Sequence, residues 1–98
     1  LEMVSLEARK YMSRKPFAVF GTSIAANWLL GAIGSEAVSF FVDEDPSRTG
    51  LKHWGKPILA PADIPDGATV FVPLAPAVGA SVHARLANDR YTLLVPGL

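Results

Sequence analysis

Short apolar runs alternate with helix-like segments along the whole chain. Four runs are rich in Val, Phe, Leu and Thr and have the length of strands. They lie near residues 17–21, 38–42, 69–73 and 91–95. The first and third runs are apolar on both faces, which is typical of parallel strands that helices cover on both sides.

Helical spacing predicts three helices between these strands. The first spans 1–15 and leads the chain, the second follows residue 23, and the third spans 77–88. Val78, Val82 and Leu86 recur at four-residue spacing in the third helix. Between the second and third strands we expect a long loop without a full helix, with a short extended piece at 55–59 and one helical turn at 61–64.

The segment 17–43 reads as strand, tight turn, helix and strand, which is the first unit of a Rossmann-like sheet. A right-handed crossover from this unit places the third strand on the far side of the first. We therefore predict an α/β, three-layer Rossmann-like domain over 1–98. Its sheet is expected to have four parallel strands in the order 2-1-3-4, with helices on both faces.

The strand ends in this arrangement supply the candidate site. Gly21 ends the first strand and Asp43 ends the second, about twenty residues apart as in dinucleotide-binding units. The glycine allows close backbone approach, and the acid can bind sugar hydroxyls. The predicted substrate-binding residues are Gly21, Thr22, Ser23, Asn27, Asp43, Pro73 and Leu74.

Each of these residues also has a structural interpretation. Asp43 can begin a turn with Pro46, and Gly21 can serve only a left-handed backbone conformation. Ser23 can cap the helix or bind an anion. Asn27 lies one turn into the helix and can reach the cleft or bridge to a loop.

Composition narrows the classes of function. The 98 residues have a formal net charge of zero, which gives no electrostatic support for a nucleic-acid or membrane partner. The chain has no cysteine and no apolar run of transmembrane length, and we expect a cytoplasmic protein. It does not begin with Met, and we expect either a piece of a longer protein or a chain with a processed start.

Charged and titratable side chains do not form a catalytic set in the sequence. Arg9, Lys10, Arg14 and Lys15 form either a phosphate-binding patch or favourable charge near a helix C-terminus. His53 beside Trp54 can contact a substrate, and His83 is expected near the surface of the third helix. Because no acid or second ligand is spaced to pair with either histidine, we predict no catalytic residue and no metal site.

Three motifs resemble the C-terminal domain of sugar C-methyltransferases that use S-adenosylmethionine. Gly21, Asn27, Leu29 and Leu30 are similar to its opening Gly-Ala-x-x-Lys-Gly-Asn-x-Leu-Leu motif. Val42, Asp43, Pro46 and Gly50 resemble the next, Val-Asp-x-Asn-Pro-x-Lys-x-Gly. Gly55 and residues 57–61 resemble a shortened Pro-Gly-x-x-Ile-Pro-Val-Leu-Pro stretch.

The resemblance implies a Rossmann-like domain that helps to enclose a nucleotide sugar while methyl transfer occurs on other domains. It implies S-adenosylmethionine for the parent protein and no cofactor in this fragment. The chain departs from the family at Ala25 and Ala26, where the family has Lys-Gly, and at Leu74 and Ala75, where it has Trp-Asn. These changes leave an apolar rim, and we expect weak binding of nucleotide sugars.

Two functions from different classes follow. The first is an accessory substrate-binding domain of a methyltransferase-like protein, with an upstream methyltransferase domain and a nucleotide sugar as partners. The second is a degenerate Rossmann module that mediates contact between domains or subunits, including a homodimer, without its own ligand. Gly21 and Asp43 favour the first, and the apolar replacements favour the second.

Overall fold

The computed structural model describes residues 2–22, 24–74 and 76–95. The described helices are α1 (Glu2–Tyr11), α2 (Ile24–Ile33) and α3 (Pro76–Leu86), with 3₁₀ turns at Ser35–Ala37 and Pro61–Asp63. The described strands are β1 (Phe17–Phe20), β2 (Phe40–Val42), β3 (Lys52–His53), β4 (Lys56–Leu59), β5 (Thr69–Phe71) and β6 (Thr92–Leu94).

The described strands form one mixed sheet of six strands in the order β3-β4-β2-β1-β5-β6. Along the sheet, the neighbouring strands β4, β2, β1, β5 and β6 are parallel to one another. β3 pairs with β4 in the antiparallel direction. The prediction of a four-stranded, all-parallel sheet of order 2-1-3-4 is therefore wrong. The four predicted strands lie side by side as β2-β1-β5-β6, and β4 and β3 extend the sheet beyond β2.

The two additional strands come from the segment between the second and third predicted strands. β4 matches the short extended piece expected at 55–59, whereas β3 is not predicted. Ile58 is buried and pairs with Phe41 of β2, and this apolar contact fixes β4 as a strand. Pro57 precedes Ile58, the first residue of β4 that pairs with β2. Because proline has no N–H to donate, this position outside the β2–β4 ladder leaves the hydrogen bonds of that ladder intact. Lys52 on β3 leaves the outer edge charged, a common feature of edge strands.

Helices and loops cover both faces of the sheet and bury two apolar layers. Phe17 and Val19 of β1 point to the layer beneath α1 and α2, where Leu29 is fully buried. Ala18 and Phe20 alternate to the opposite layer, which contains Val82 of α3. The molecule thus has three layers, with the sheet between the two cores.

A glycine and two basic side chains lie at or just beyond the C-terminal end of α2. Gly34 has φ +90° and ψ +135°, a conformation that side-chain-bearing residues rarely adopt, and its N–H donates to the Leu30 carbonyl at 2.8 Å. Arg9 donates to the Ala32 carbonyl at 2.7 Å, and Lys15 donates to the Ala37 carbonyl at 2.5 Å. Part of the basic cluster therefore bonds carbonyls at or just beyond the end of a helix.

Three predicted boundaries, in two helices, change. The leading helix ends at Tyr11 rather than residue 15, and α3 begins and ends slightly earlier than predicted. In the described part of the chain, no helix combines the length and apolar character needed to cross a membrane.

Candidate functional site

Gly21 opens the turn at the end of β1. Its backbone has φ +86°, and its N–H donates to the Val42 carbonyl of β2 at 2.6 Å. A Cβ atom placed on Gly21 would meet no heavy atom within 4 Å. The glycine is therefore required by the left-handed backbone conformation, and the space in front of it is open.

Asp43 ends β2 with its side chain turned into its own loop. Its backbone N–H donates to the Leu59 carbonyl at 3.1 Å, which connects it to β4. Its Oδ1 accepts the Asp45 N–H at 2.9 Å, forming an Asx turn. Asp43 therefore organises a turn, as the structural interpretation expects, and its side chain retains 13% of its accessibility. Its contact with a ligand stays a prediction.

Arg48 brings two predicted site residues together. Its Nη1 donates to Thr22 Oγ1 at 3.0 Å and lies 3.4 Å from Asp43 Oδ2. Its side chain is 53% exposed, so one side of the guanidinium faces solvent. We call the group Gly21, Thr22, Asp43 and Arg48 the carboxyl edge, because it lies where β1 and β2 end.

Arg48 is not among the residues that the sequence predicts for the site. One signal was present: the second motif has a lysine at the position where this chain has Arg48. A cation five residues after the strand-ending acid can fold back over that acid once a turn begins between them. Asp45 and Ser47 supply that turn, with the Ser47 N–H donating to Asp45 Oδ1 at 2.9 Å.

The loop around the carboxyl edge is rich in paired charges. Hydrogen bonds from the Ser47 N–H and hydroxyl hold the pKa of Asp45 below its ordinary value. Arg85 of α3 lies 2.8 Å from Glu44, and this hydrogen bond raises the pKa of the arginine. With Asp43, Glu44 and Asp45 facing Arg48 and Arg85, the carboxyl edge is not a positively charged site.

Asn27 does not join the carboxyl edge. Its Oδ1 lies 2.6 Å from His53 Nε2 and accepts the Trp54 indole N–H at 3.3 Å. Because an amide oxygen only accepts hydrogen bonds, the short contact with His53 places a proton on Nε2. Of the two interpretations of Asn27, the structure supports the bridge to a loop, since it ties α2 to the turn between β3 and β4.

The remaining predicted residues are divided between the core and undescribed positions. Pro73 is buried, and Leu74 packs against the core beneath α3. Ala26, which we expected to face the cleft, is fully buried in the other core. Ser23 and Ala75 lie outside the described residues. The expected apolar rim is therefore wrong at Ala26, whereas Leu74 is only partly buried and its place on a rim stays a prediction.

His53 packs edge-on against Phe41, with the ring centroids 4.9 Å apart. His83 is half-buried on α3. Among the residues that the structure describes, no three His, Asp or Glu side chains are grouped closely enough to hold a metal ion.

No protein-family model matches the sequence, and a search of curated proteins finds no significant match.

Proposed function

We propose that this chain is an accessory, non-catalytic domain of a methyltransferase-like protein that uses S-adenosylmethionine. In this proposal the carboxyl edge helps to enclose a nucleotide sugar or similar substrate. The meeting of Thr22, Asp43 and Arg48 at the strand ends is the observation that supports it best. A hydroxyl, a carboxylate and a guanidinium can together accept and donate hydrogen bonds to sugar hydroxyls.

Arg48 stands where the second motif has a lysine, so it does not replace the first-motif cation that is absent at Ala25. A bound phosphate would compete with Asp43 and Asp45 for this one guanidinium, so the carboxyl edge suits hydroxyl groups better than phosphates. We therefore expect this fragment to bind nucleotide sugars only in the high-micromolar range or more weakly, roughly −5 kcal/mol or less favourable. In the cytoplasmic parent protein, an upstream domain supplies the cofactor and the methyl transfer.

The test is calorimetric titration of nucleotide sugars into the wild type and Asp43→Asn. The asparagine amide oxygen can still accept the Asp45 N–H, so the turn is kept while the charge is lost. We expect a loss of about 1–3 kcal/mol in binding free energy. Asp66→Asn is the matched control, because Asp66 is an exposed acid paired with Arg90.

Equal affinity of the wild type and Asp43→Asn would contradict the role of Asp43. Circular dichroism melting of both variants separates lost binding from lost folding.

A second candidate is a module for contact between domains or subunits. Asn27 is already bonded within the molecule, while Leu6 of α1 and Trp28 of α2 are 55% and 43% exposed. Exposed apolar side chains of this size suit packing against another surface. Sedimentation equilibrium tests the homodimer: a concentration-dependent rise in mass supports this function, and a monomer at all concentrations argues against self-association.

A further inference from the structure

The turn between β3 and β4 combines an exposed aromatic ring with unpaired positive charge. We call residues 52–56, Lys-His-Trp-Gly-Lys, the 52–56 hairpin. The Trp54 side chain is 56% exposed. Of the ion pairs formed by the described residues, none includes Lys52 or Lys56, whereas Arg48, Arg85 and Arg90 are each paired with an acid.

Trp54 occupies a backbone conformation that is unusual for a bulky residue. Trp54 and Gly55 have φ +54° and φ +73°, the signs required at the two central positions of a type I′ hairpin turn. Asn-Gly or Gly-Gly satisfies this turn with less strain, and a tryptophan there is an outlier. Strained positions of this kind cluster at binding sites, so the outlier itself suggests a use for the ring.

The ring is also held in place. The Trp54 indole N–H donates to Asn27 Oδ1 at 3.3 Å, and His53 beside it bonds the same oxygen. Fixing an aromatic ring before binding reduces the conformational entropy that a ligand must remove. Trp54 is thus an exposed ring whose edge is fixed to α2.

The register of the hairpin places one lysine near this ring. His53 pairs with Lys56 across β3 and β4, so their side chains share a face of the sheet. This is the α2 face, because His53 contacts both Asn27 and Phe41 there. Lys52 alternates to the opposite face and adds a second positive charge to the same turn.

We propose that the 52–56 hairpin binds nucleoside phosphates, with the base stacked on Trp54 and a phosphate contacting the Lys56 ammonium. A planar ring that bears an anionic group matches both features, and stacking on aromatic side chains tolerates any base. This site is separate from the carboxyl edge. The proposal does not require the proposed function.

The test uses Trp28→Phe, which leaves Trp54 as the sole tryptophan of a chain that has two. Uridine diphosphate is titrated into this variant with excitation at wavelengths that the nucleotide does not absorb. We expect saturable quenching of Trp54 fluorescence that weakens as salt is added. Adding Lys56→Gln is expected to weaken the apparent affinity by about tenfold.

Lys10→Gln in the same background is the matched control, because Lys10 lies on α1 and pairs with Glu7. It should leave the titration unchanged. Pyrophosphate, which has no base, should displace uridine diphosphate only at concentrations at least about tenfold higher, since it cannot stack.

Three results would overturn the proposal. The first is that uridine diphosphate does not quench Trp54 fluorescence. The second is that the Lys56→Gln variant binds uridine diphosphate as tightly as its parent does. The third is that pyrophosphate displaces uridine diphosphate as effectively as the nucleotide itself does. None of these readouts uses a residue of the carboxyl edge or a ligand with a transferred sugar. A negative result in this titration therefore does not contradict the proposed function, which is tested separately.

Discussion

Single residues of the carboxyl edge could be predicted from strand ends, but their partners could not. The positions of Gly21 and Asp43 follow from where apolar runs stop, and that signal is local. Arg48 reaches Thr22 across 26 positions of sequence, a contact created by the loop fold. Asn27 shows the same limit, because its partners lie on a hairpin that the sequence did not predict.

Trp54 gives a prediction at this scale. Trp54→Asn should raise the free energy of unfolding by about 1 kcal/mol, because asparagine tolerates the left-handed conformation better than tryptophan. Urea denaturation checks the sign, with the midpoint moving to higher concentration. A lower midpoint would mean that the ring and its bond to Asn27 stabilise the fold more than the turn strains it.

At the scale of elements, apolar runs predict the central strands, and the extended piece expected at 55–59 is confirmed as β4, whereas β3 is missed. β3 is two polar residues long, and it becomes a strand because Ile58 lies against β2 and the turn at Trp54 folds the chain back along β4. Periodicity also misassigns Val78, which is 53% exposed although Val82, four residues later, is buried. Helix spacing defines a face, but the sheet beneath decides how far that face is covered.

Two glycines within helices give a matched pair of substitutions. Gly31 of α2 has open space at its Cβ position, so Gly31→Ala should stabilise the fold by about 1 kcal/mol through helix propensity. At Gly79 of α3 a Cβ would lie 2.5 Å from Val95 Cγ1. Gly79→Ala should therefore destabilise the fold, because overpacking costs about 1–3 kcal/mol, which exceeds or cancels the gain in helix propensity.

Thermal unfolding of the two variants beside the wild type measures this difference. The same sign for both substitutions would contradict the close packing of α3 on the segment after β6.

At the scale of the molecule, the three-layer α/β arrangement follows from alternating apolar runs and helices, whereas the number and direction of strands does not. The β1-α2-β2 unit is local, and a right-handed crossover puts β5 beside β1. The two proposed sites depend on contacts between residues that are far apart in the sequence. The carboxyl edge and the 52–56 hairpin are assembled from loops whose side chains meet only after folding.

The isolated chain is expected to have no methyltransferase activity. In the proposed function the cofactor and the methyl transfer belong to other domains of the parent protein. Incubation with S-adenosylmethionine and candidate sugar-nucleotide acceptors should give no methylated product by mass spectrometry. Robust turnover by the isolated chain would contradict its proposed role as an accessory domain.

The most direct test of the proposed function is a ¹⁵N-resolved NMR titration of the wild-type chain with a nucleotide sugar at millimolar concentration. The account predicts fast-exchange shifts of the backbone amides of Gly21, Thr22, Asp43 and Arg48, with the amides of β6 and the C-terminal half of α3 unmoved. Shifts elsewhere that leave all four carboxyl-edge amides in place, or no shifts at all, would contradict it.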